Sequence, residues 1–334
     1  MEASMGVRVG LTYDLKSDYT PKKGEPKDIS AEFDHGATIN ALSKALTSAG
    51  YKVVRIGNAR NLLSSLSGLE VDIVFNIAEG LQGRNRESQV PILLEMQGVP
   101  FVGSDALTLG ITLDKIIAKK MFIAHNIPTP KFINVYNPCE IDGISIKFPA
   151  IVKPRFEGSS KGINDNSIVR DRETLLRQSQ WLIDTYKQPA LVEEFIEGKE
   201  FTVVILGNTD AKALPVVQIC IDGNLELGNS FYTFSRIHST TLDYICPAQI
   251  SKDLEEKIKK VALDAYYAVE CRDFGRVDIR LDAQEQPYVL EVNPLPSLST
   301  VDVFPVVAKA IGTSYDDLIV EILRHGLKRY GFNF

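Results

Sequence analysis

The 334-residue chain lacks many of the features by which a sequence declares a compartment or a chemistry. It has no run of 18 apolar residues, so no membrane-spanning helix is expected. Its four cysteines, Cys139, Cys220, Cys246 and Cys271, are far apart and form no CxxC. That spacing argues against a disulfide framework or a thiolate zinc site and fits reduced thiols in a cytoplasm. The four histidines lack metal-ligand spacing, and no Ser-His or Cys-His arrangement can be identified. A GxxxxGK[ST] phosphate loop is absent, as are repeats and low-complexity tracts. Positive charge is not in excess: 37 Lys and Arg face 43 Asp and Glu, for a net charge of −6. A dedicated nucleic-acid binder is therefore not indicated. VRVGL starts a strand almost at once, so no signal peptide is expected.

What is present is a globular composition, 44% hydrophobic and 24% charged, in a chain long enough for two or three lobes. Residues 7–13 predict a first strand, and polar residues 14–34, with Pro21, Gly24 and Pro26, predict a mobile loop. A helix over 37–49 stops at Gly50, and strands follow at 51–56 and 71–76. A helix over 88–97 stops at Gly98, before a short strand at 100–103. Such alternation means a parallel sheet with helices on both faces. The first lobe boundary is expected near Ser104. Further on, strands are expected at 148–154 and 190–197, with a helix over 172–186 between them. Strands at 201–205 and 213–219 are expected to join a C-terminal hairpin in an antiparallel sheet, backed by a helix over 252–268. Residues 231–245 look less regular, and helices over 300–311 and 315–329 close the chain.

The chemistry concentrates in residues 274–299, FGRVDIRLDAQEQPYVLEVNPLPSLS. Two strands, 274–281 and 287–293, flank a polar turn. If Asp282 opposes Pro287, then Asp278 opposes Glu291 and Arg276 opposes Asn293. The other face is then Val277, Ile279, Leu281, Tyr288, Leu290 and Val292, fit for a core. Opposed like charges destabilise a sheet. A hard cation such as Mg²⁺, sharing oxygen ligands with substrate phosphates, removes the conflict, and Arg276 could then hold a phosphate oxygen. A solvated face with a cross-strand ion pair is the plain alternative. A second weak signal lies at 148–163, where a lysine-bearing strand precedes the glycine–serine loop RFEGSSKGI. Such a loop can lay backbone N–H groups along phosphates, or be an ordinary surface turn.

GRVD followed by LEVNPLPSLS resembles the metal-binding end of ATP-grasp ligases, and of the D-alanine–D-alanine ligase family above all. The run from NIAEGLQGRNRES through GVPFVGSDALTLGITLDK, the segment IVKPRFEGSSKG and the strand ALVEEFIEG resemble the same family. The resemblance extends over about the whole chain and is strongest from 88 to 296. It implies a three-lobed α/β ATP-grasp fold with an N-terminal parallel-sheet, Rossmann-like domain. The lobes would be 1–104 for substrate, 105–189 as the central lobe, and 190–334 with the metal and catalytic site. It implies ATP, with two Mg²⁺ (Mn²⁺ being an alternative) on Asp278, Glu291 and Asn293, and Arg276 on the transferred phosphate. Lys115 and Lys153 would neutralise phosphates, while Ser159 and Ser160 close the loop over them. Glu193 would accept from the adenine amino group, the backbone of Glu194 and Ile196 would read the ring edge, and Glu200 would bind ribose.

The amino-acid half departs from the family's pattern. LTYDLKSDY replaces the family's Gly-Gly-x-Ser-x-Glu loop, and NIAEGLQGRNRES replaces its His-Gly-x-x-Gly-Glu-Asp-Gly segment. The family's Lys-Tyr pair becomes Arg236-Ile237, its Pro-Gly turn becomes Pro296-Ser297, and a downstream serine becomes Asp302. Arg236, Ser297 and Asp302 are thus the candidate residues for choosing the acceptor. The implied activity is ATP-dependent joining of a carboxylate to an amine through an acyl phosphate. The product is either D-alanyl-D-alanine or the amide of a different amino acid or small carboxylate. A non-catalytic nucleotide-binding module is the rival from another class, and the complete Arg276, Asp278, Glu291 and Asn293 set argues against it. Small amino acids are the expected partners, neither nucleic acid nor membrane is, and a homodimer is compatible with the sequence.

Overall fold

The computed structural model describes residues 6–143, 145–228, 230–231, 233 and 241–332. Three sheets meet around one cleft. The first comprises β1 (Arg8–Thr12), β2 (Lys52–Gly57), β3 (Ile73–Asn76) and β4 (Phe101–Val102), in the order β2-β1-β3-β4 and parallel throughout. Every residue of β3 is buried, as a strand covered on both faces requires. Helices Gly36–Ser48, Ala59–Ser65 and Gln89–Gln97 make the crossovers. At the carboxyl ends of neighbouring strands the Thr12 hydroxyl donates to the Asn76 side chain at 2.8 Å. That edge is where open parallel sheets bind ligands.

The second sheet is antiparallel: β5 (Phe132–Val135), β6 (Ala150–Pro154), β7 (Ile168–Val169) and β8 (Ala190–Glu194), ordered β5-β8-β6-β7. Helix Arg172–Tyr186 packs on it, started by a capping box in which Asp171 and Thr174 bond reciprocally. The third and largest sheet holds β9 (Glu200–Leu206), β10 (Lys212–Ala213), β11 (Val217–Ile221), β12 (Leu242–Ile245), β13 (Phe274–Leu281) and β14 (Pro287–Asn293). Its order is β12-β11-β9-β13-β14, with β10 against β9. Helix Lys252–Ala268 buries Leu254, Ile258, Ala262 and Ala265, one helical stripe, on its back. The last two helices, Val303–Ala310 and Tyr315–Arg329, return to the first sheet, where Phe304, Leu323 and Leu327 join Val9, Phe75 and Val102 in one core.

Several predicted elements are altered for identifiable reasons. Residues 14–34 are docked, not mobile: Asp28 accepts from the Gly162 N–H at 2.8 Å and from the Tyr186 hydroxyl at 2.7 Å. The strand expected at 213–219 is split into β10 and β11, with Pro215, which lacks an N–H, between them. Within 231–245, residues 242–245 form an edge strand. The helix expected from 300 starts at Val303, because Asp302 caps it by accepting the Val303 N–H at 2.7 Å. Residues 190–194 pair in the second sheet, whereas Ala118, Phe122 and Ile127 pack in the core of the third. The expected division at 189/190 therefore cuts through the second sheet, whereas every strand of the first sheet lies before 104/105.

Asp273, fully buried at the start of β13, ties these lobes together. It accepts from the Gly103 N–H at 2.9 Å, from the Asn208 amide at 3.0 Å and from Arg329 at 2.7 Å. Removing one partner of such a pair leaves the other charge stranded. Asp273→Ala is expected to lower unfolding free energy by about 3 kcal/mol, read as a shifted midpoint in urea denaturation.

Candidate functional site

The hairpin β13–β14 supplies the floor of the cleft. Its register pairs Arg276 with Asn293 and Asp278 with Glu291, as the alternation predicts. Beyond Asp278 the register shifts by one, so Ile279 pairs with Val289 and Leu281, not Asp282, pairs with Pro287. The extra residue is Leu290. In consequence Val289 is fully buried in the core and Leu290 lines the cleft, the reverse of the faces expected from strict alternation. Tyr288 also leaves the core and is only half-buried.

Asp278 is held on three sides. Arg276 forks onto it at 3.0 and 2.9 Å, the Thr202 hydroxyl donates at 2.6 Å, and the Asn293 amide donates at 3.0 Å. Burial weakens the charge of Arg276, but Asp278 and then Asp302 outweigh it, so the guanidinium pKa rises. Glu291 meets Lys115 at 3.1 Å from helix Lys115–Ala124. Burial raises the Glu291 pKa, but Lys115, Lys153 and Arg276 overcome it and bring it down to about 2. The opposed carboxylates Asp278 and Glu291 are thus each neutralised from a different side. They and the Asn293 amide offer oxygen donors only, a set suited to a hard divalent cation shared with phosphates. No group of three or more His, Cys, Asp or Glu that could hold a metal exists among the described residues. Any cation here would therefore complete its shell with phosphate or water oxygens.

Above the floor, Glu193 at the end of β8 lies between two lysines, Lys119 at 2.8 Å and Lys153 in closer contact. All three are nearly inaccessible. Burial alone raises the Glu193 pKa, yet the two ammonium groups bring it below the usual range. Past β8 the chain runs through Ile196, whose N–H has no partner among the described residues and which lines the cleft. Glu200 starts β9 close to Arg280, and burial pushes its pKa up to about 7. Leu290, Ile151, Phe195 and Phe231 add apolar surface. The whole cavity is roughly 450 Å³, the size of a cofactor site.

The glycine–serine loop covers one side. Ser159 and Ser160 have φ of 46° and 53°, in a region non-glycine residues seldom occupy. Their N–H groups have no partner among the described residues. The N–H groups at both ends are taken: Gly158 donates to Glu32 at 2.6 Å and Gly162 to Asp28. Lys115 Nζ donates to the Glu157 carbonyl at 2.7 Å, fixing the loop's entry.

The far end of the cleft belongs to the first lobe. Glu32, with a side chain only 4% exposed, meets Arg86 at 2.6 Å and Lys161 at 3.0 Å. Glu157 contacts the same two cations. Asp34, Glu79 and Glu87 line the same end. Sequence reasoning missed Glu32, Glu79, Glu87 and Lys119. Lys119 stands one helical turn after Lys115 on the same face, and Glu79 and Glu87 lie in the altered run NIAEGLQGRNRES, though nothing in it singled them out. Glu32 sits in a polar stretch without periodicity.

Among the sequence-derived candidates, Lys115, Lys153, Ser159, Ser160, Glu193, Glu194, Ile196, Glu200, Arg276, Asp278, Glu291, Asn293, Ser297 and Asp302 all line this one cavity. Ser297 is exposed at its rim. Arg236 and Ile237 lie outside the described residues. Among the described residues no helix is long and apolar enough to cross a membrane.

A family model described as the D-ala D-ala ligase C-terminus matches residues 133–324. The chain is 34% identical over 303 residues to an uncharacterised protein of Sinorhizobium fredii, covering 88% of this chain and 89% of that protein. To a D-alanine–D-alanine ligase of Carboxydothermus hydrogenoformans it is 34% identical over 302 residues, covering 87% and 93%. A D-alanine–D-alanine ligase from Bacillus anthracis complexed with ATP superposes with a TM-score of 0.74 at 25% identity, over 97% of this chain and 98% of that one. The VanG D-Ala:D-Ser ligase from Enterococcus faecalis shares the fold, with a TM-score of 0.73 at 20% identity, over 96% and 99%.

Burial, then the neighbouring charge of Asp14, holds the Asp34 carboxyl at about 7 against 3.8 when unfolded. Its folded pKa lies above the unfolded one. The stability it contributes is therefore complete below 3.8 and is lost as pH rises through about 7. Asp34→Asn carries no such loss. Its melting temperature relative to the parent should climb between about pH 4 and about pH 8. A pH-independent difference would show that Asp34 does not titrate in this range.

Proposed function

The chain belongs to the D-alanine–D-alanine ligase family, and from that premise we propose that it joins a carboxylate to an amine at the expense of ATP through an acyl phosphate. The single observation that carries this is the convergence of phosphate-directed cations and oxygen donors in one cavity. Lys115, from helix Lys115–Ala124, Lys153, from β6, Arg276 and Asp278, from β13, and Glu291 and Asn293, from β14, line the same space.

ATP would lie along the junction of the second and third sheets. Glu193 and the backbone at Glu194 and Ile196 would receive adenine, whose faces would meet apolar Leu290 and Ile151, and Glu200 would hold ribose hydroxyls. Lys115, Lys153 and the free N–H groups of Ser159 and Ser160 would face the phosphates. A carboxylate oxygen then attacks the terminal phosphorus, its bond to ADP breaks, and Arg276 offsets the charge on the transferred group. Mg²⁺ held by Asp278, Glu291 and Asn293 would add charge neutralisation on the phosphate oxygens. In the second step the amine attacks the acyl carbon, loses a proton, and phosphate departs with its oxygen. The chain's work is positioning and water exclusion, with no nucleophilic side chain.

The nucleotide half supports the family's chemistry. The amino-acid half supports a substrate pair other than two D-alanines, because Arg236, Ser297 and Asp302 replace the family's residues. Asp302 caps helix Val303–Ala310 and raises the pKa of Arg276, so its charge bears on the reaction centre. A cytoplasmic, dimeric enzyme is the corresponding biological form.

Phosphate release from ATP over a panel of amino-acid pairs, both enantiomers included, is the test. Mg²⁺-dependent release with at least one pair is expected. Glu291→Gln should reduce kcat about 100-fold or more while the melting curve persists. Normal turnover in that variant would remove Glu291 from the site. Asp302→Ser keeps a good capping residue, so the helix survives. It should reorder acceptor preference while leaving the KM for ATP unchanged. An unchanged order would remove Asp302 from acceptor choice.

A further inference from the structure

The end of the cavity beside the first lobe holds more acid than base. Five carboxylates line it: Glu32, Asp34, Glu79, Glu87 and Glu157. Two cations, Arg86 and Lys161, pair with them: among the described residues both form ion pairs with Glu32 and Glu157, and the charge of Arg86 also bears, without contact, on Glu87 and Glu79. Lys115 is committed to Glu291. Lys16 and His35 also line this end and form no ion pair with the acids among the described residues. Among the described residues, the Thr38 side chain is the hydrogen-bond donor that bears on Asp34. Glu87 is the sharpest case. It is 7% exposed, lines the cavity, and makes no hydrogen bond or ion pair among the described residues. A buried carboxylate without a partner is costly to the fold. It persists where a ligand supplies the partner.

We propose that Glu87, with Glu79 and Asp34 beside it, forms a cation subsite for the acid that is phosphorylated, and that this acid is an amino acid with a cationic side chain. Glu32 cannot perform this task, because Arg86, Lys161 and the Gly158 N–H already take both its oxygens. An amino acid with a neutral side chain brings one ammonium, which its own carboxylate offsets. A basic amino acid brings a second cation, and an ammonium or guanidinium can donate to two carboxylates at once. Burial, then the like charge of Glu87, raises the Glu79 pKa. Burial also raises that of Glu87, to about 7. Both effects are relieved when a cation enters. The proposal rests on the ligase reading for the word phosphorylated, but not for the binding of a cation.

Trapping with hydroxylamine in the presence of ATP and Mg²⁺ reports the activated acid without an acceptor. Lysine, ornithine and arginine, in both enantiomers, are to be compared with alanine and serine. Hydroxamate should form at lower concentrations of the basic amino acids. Glu87→Gln should raise their KM about tenfold or more, leave the KM for ATP unchanged, and not weaken alanine. Its melting temperature should equal or exceed the parent's, since no partner is lost. Glu79→Gln should act in the same direction. Preference for alanine with no effect of Glu87→Gln would overturn the subsite and leave the ligase standing. If no acid is trapped, calorimetric titration with lysine decides. Binding by the parent that Glu87→Gln abolishes keeps the subsite and removes the ligase, whereas no binding removes both. A fall in melting temperature for Glu87→Gln would mark the carboxylate as structural and overturn the proposal.

Discussion

A buried charge must find an opposite one, and in this molecule two of the driest ion pairs reach from one layer to another. Glu193 of the second sheet is met by Lys119, whose helix packs in the core of the third. Glu32 of the first lobe is met by Lys161 from the loop after β6. Apolar packing holds each sheet together, but these pairs fix how the sheets face one another. The Glu193–Lys119 and Glu32–Lys161 pairs are nearly dry, so loss of a single member would leave its partner uncompensated. The cleft is thus defined by electrostatic neutrality across its walls as much as by shape.

The end of this cleft proposed for nucleotide was legible in the sequence because its determinants are local. Lys153 is followed within one loop by Ser159 and Ser160, and the four polar hairpin residues sit two apart on two short strands. A period of two and a short turn were enough to pair Asp278 with Glu291. The substrate end was not legible, because its residues come together only through tertiary structure. Glu32 and Gly158 are 126 positions apart in sequence and 2.6 Å apart in space. No pattern within residues 14–34 signals that Asp28 and Glu32 hold down a loop of another lobe. Proline and glycine there spoke for mobility, and two carboxylates overrode them.

Asp302 shows a different limit. Its replacement of a family serine pointed to a changed substrate, and the structure adds that it begins a helix. Both aspartate and serine serve at that position of a helix, so the cap explains the tolerance and not the choice of charge. The charge has its effect on Arg276. The contrast between the two ends of the cavity is sharper. At one end Glu193, Asp278 and Glu291 are each in contact with a base, and at the other Glu87 makes no such contact among the described residues.

The extra residue at Leu290 acts as a phase break in the hairpin. β13 keeps step with β9 along its whole paired length, where Asp278 faces Thr202. Against β13, β14 runs one step out on the turn side of the break, from Ile279–Val289 to Leu281–Pro287. The geometry of the Asp278–Glu291 pair is therefore not inherited from the turn that joins their strands. Turn length and composition can drift without rotating Asp278 or Glu291 away from the cleft, because the slack is taken up before it reaches them. The same break hands one leucine from the core to the nucleotide wall, so a single irregularity insulates the acid pair and furnishes the apolar surface beside it.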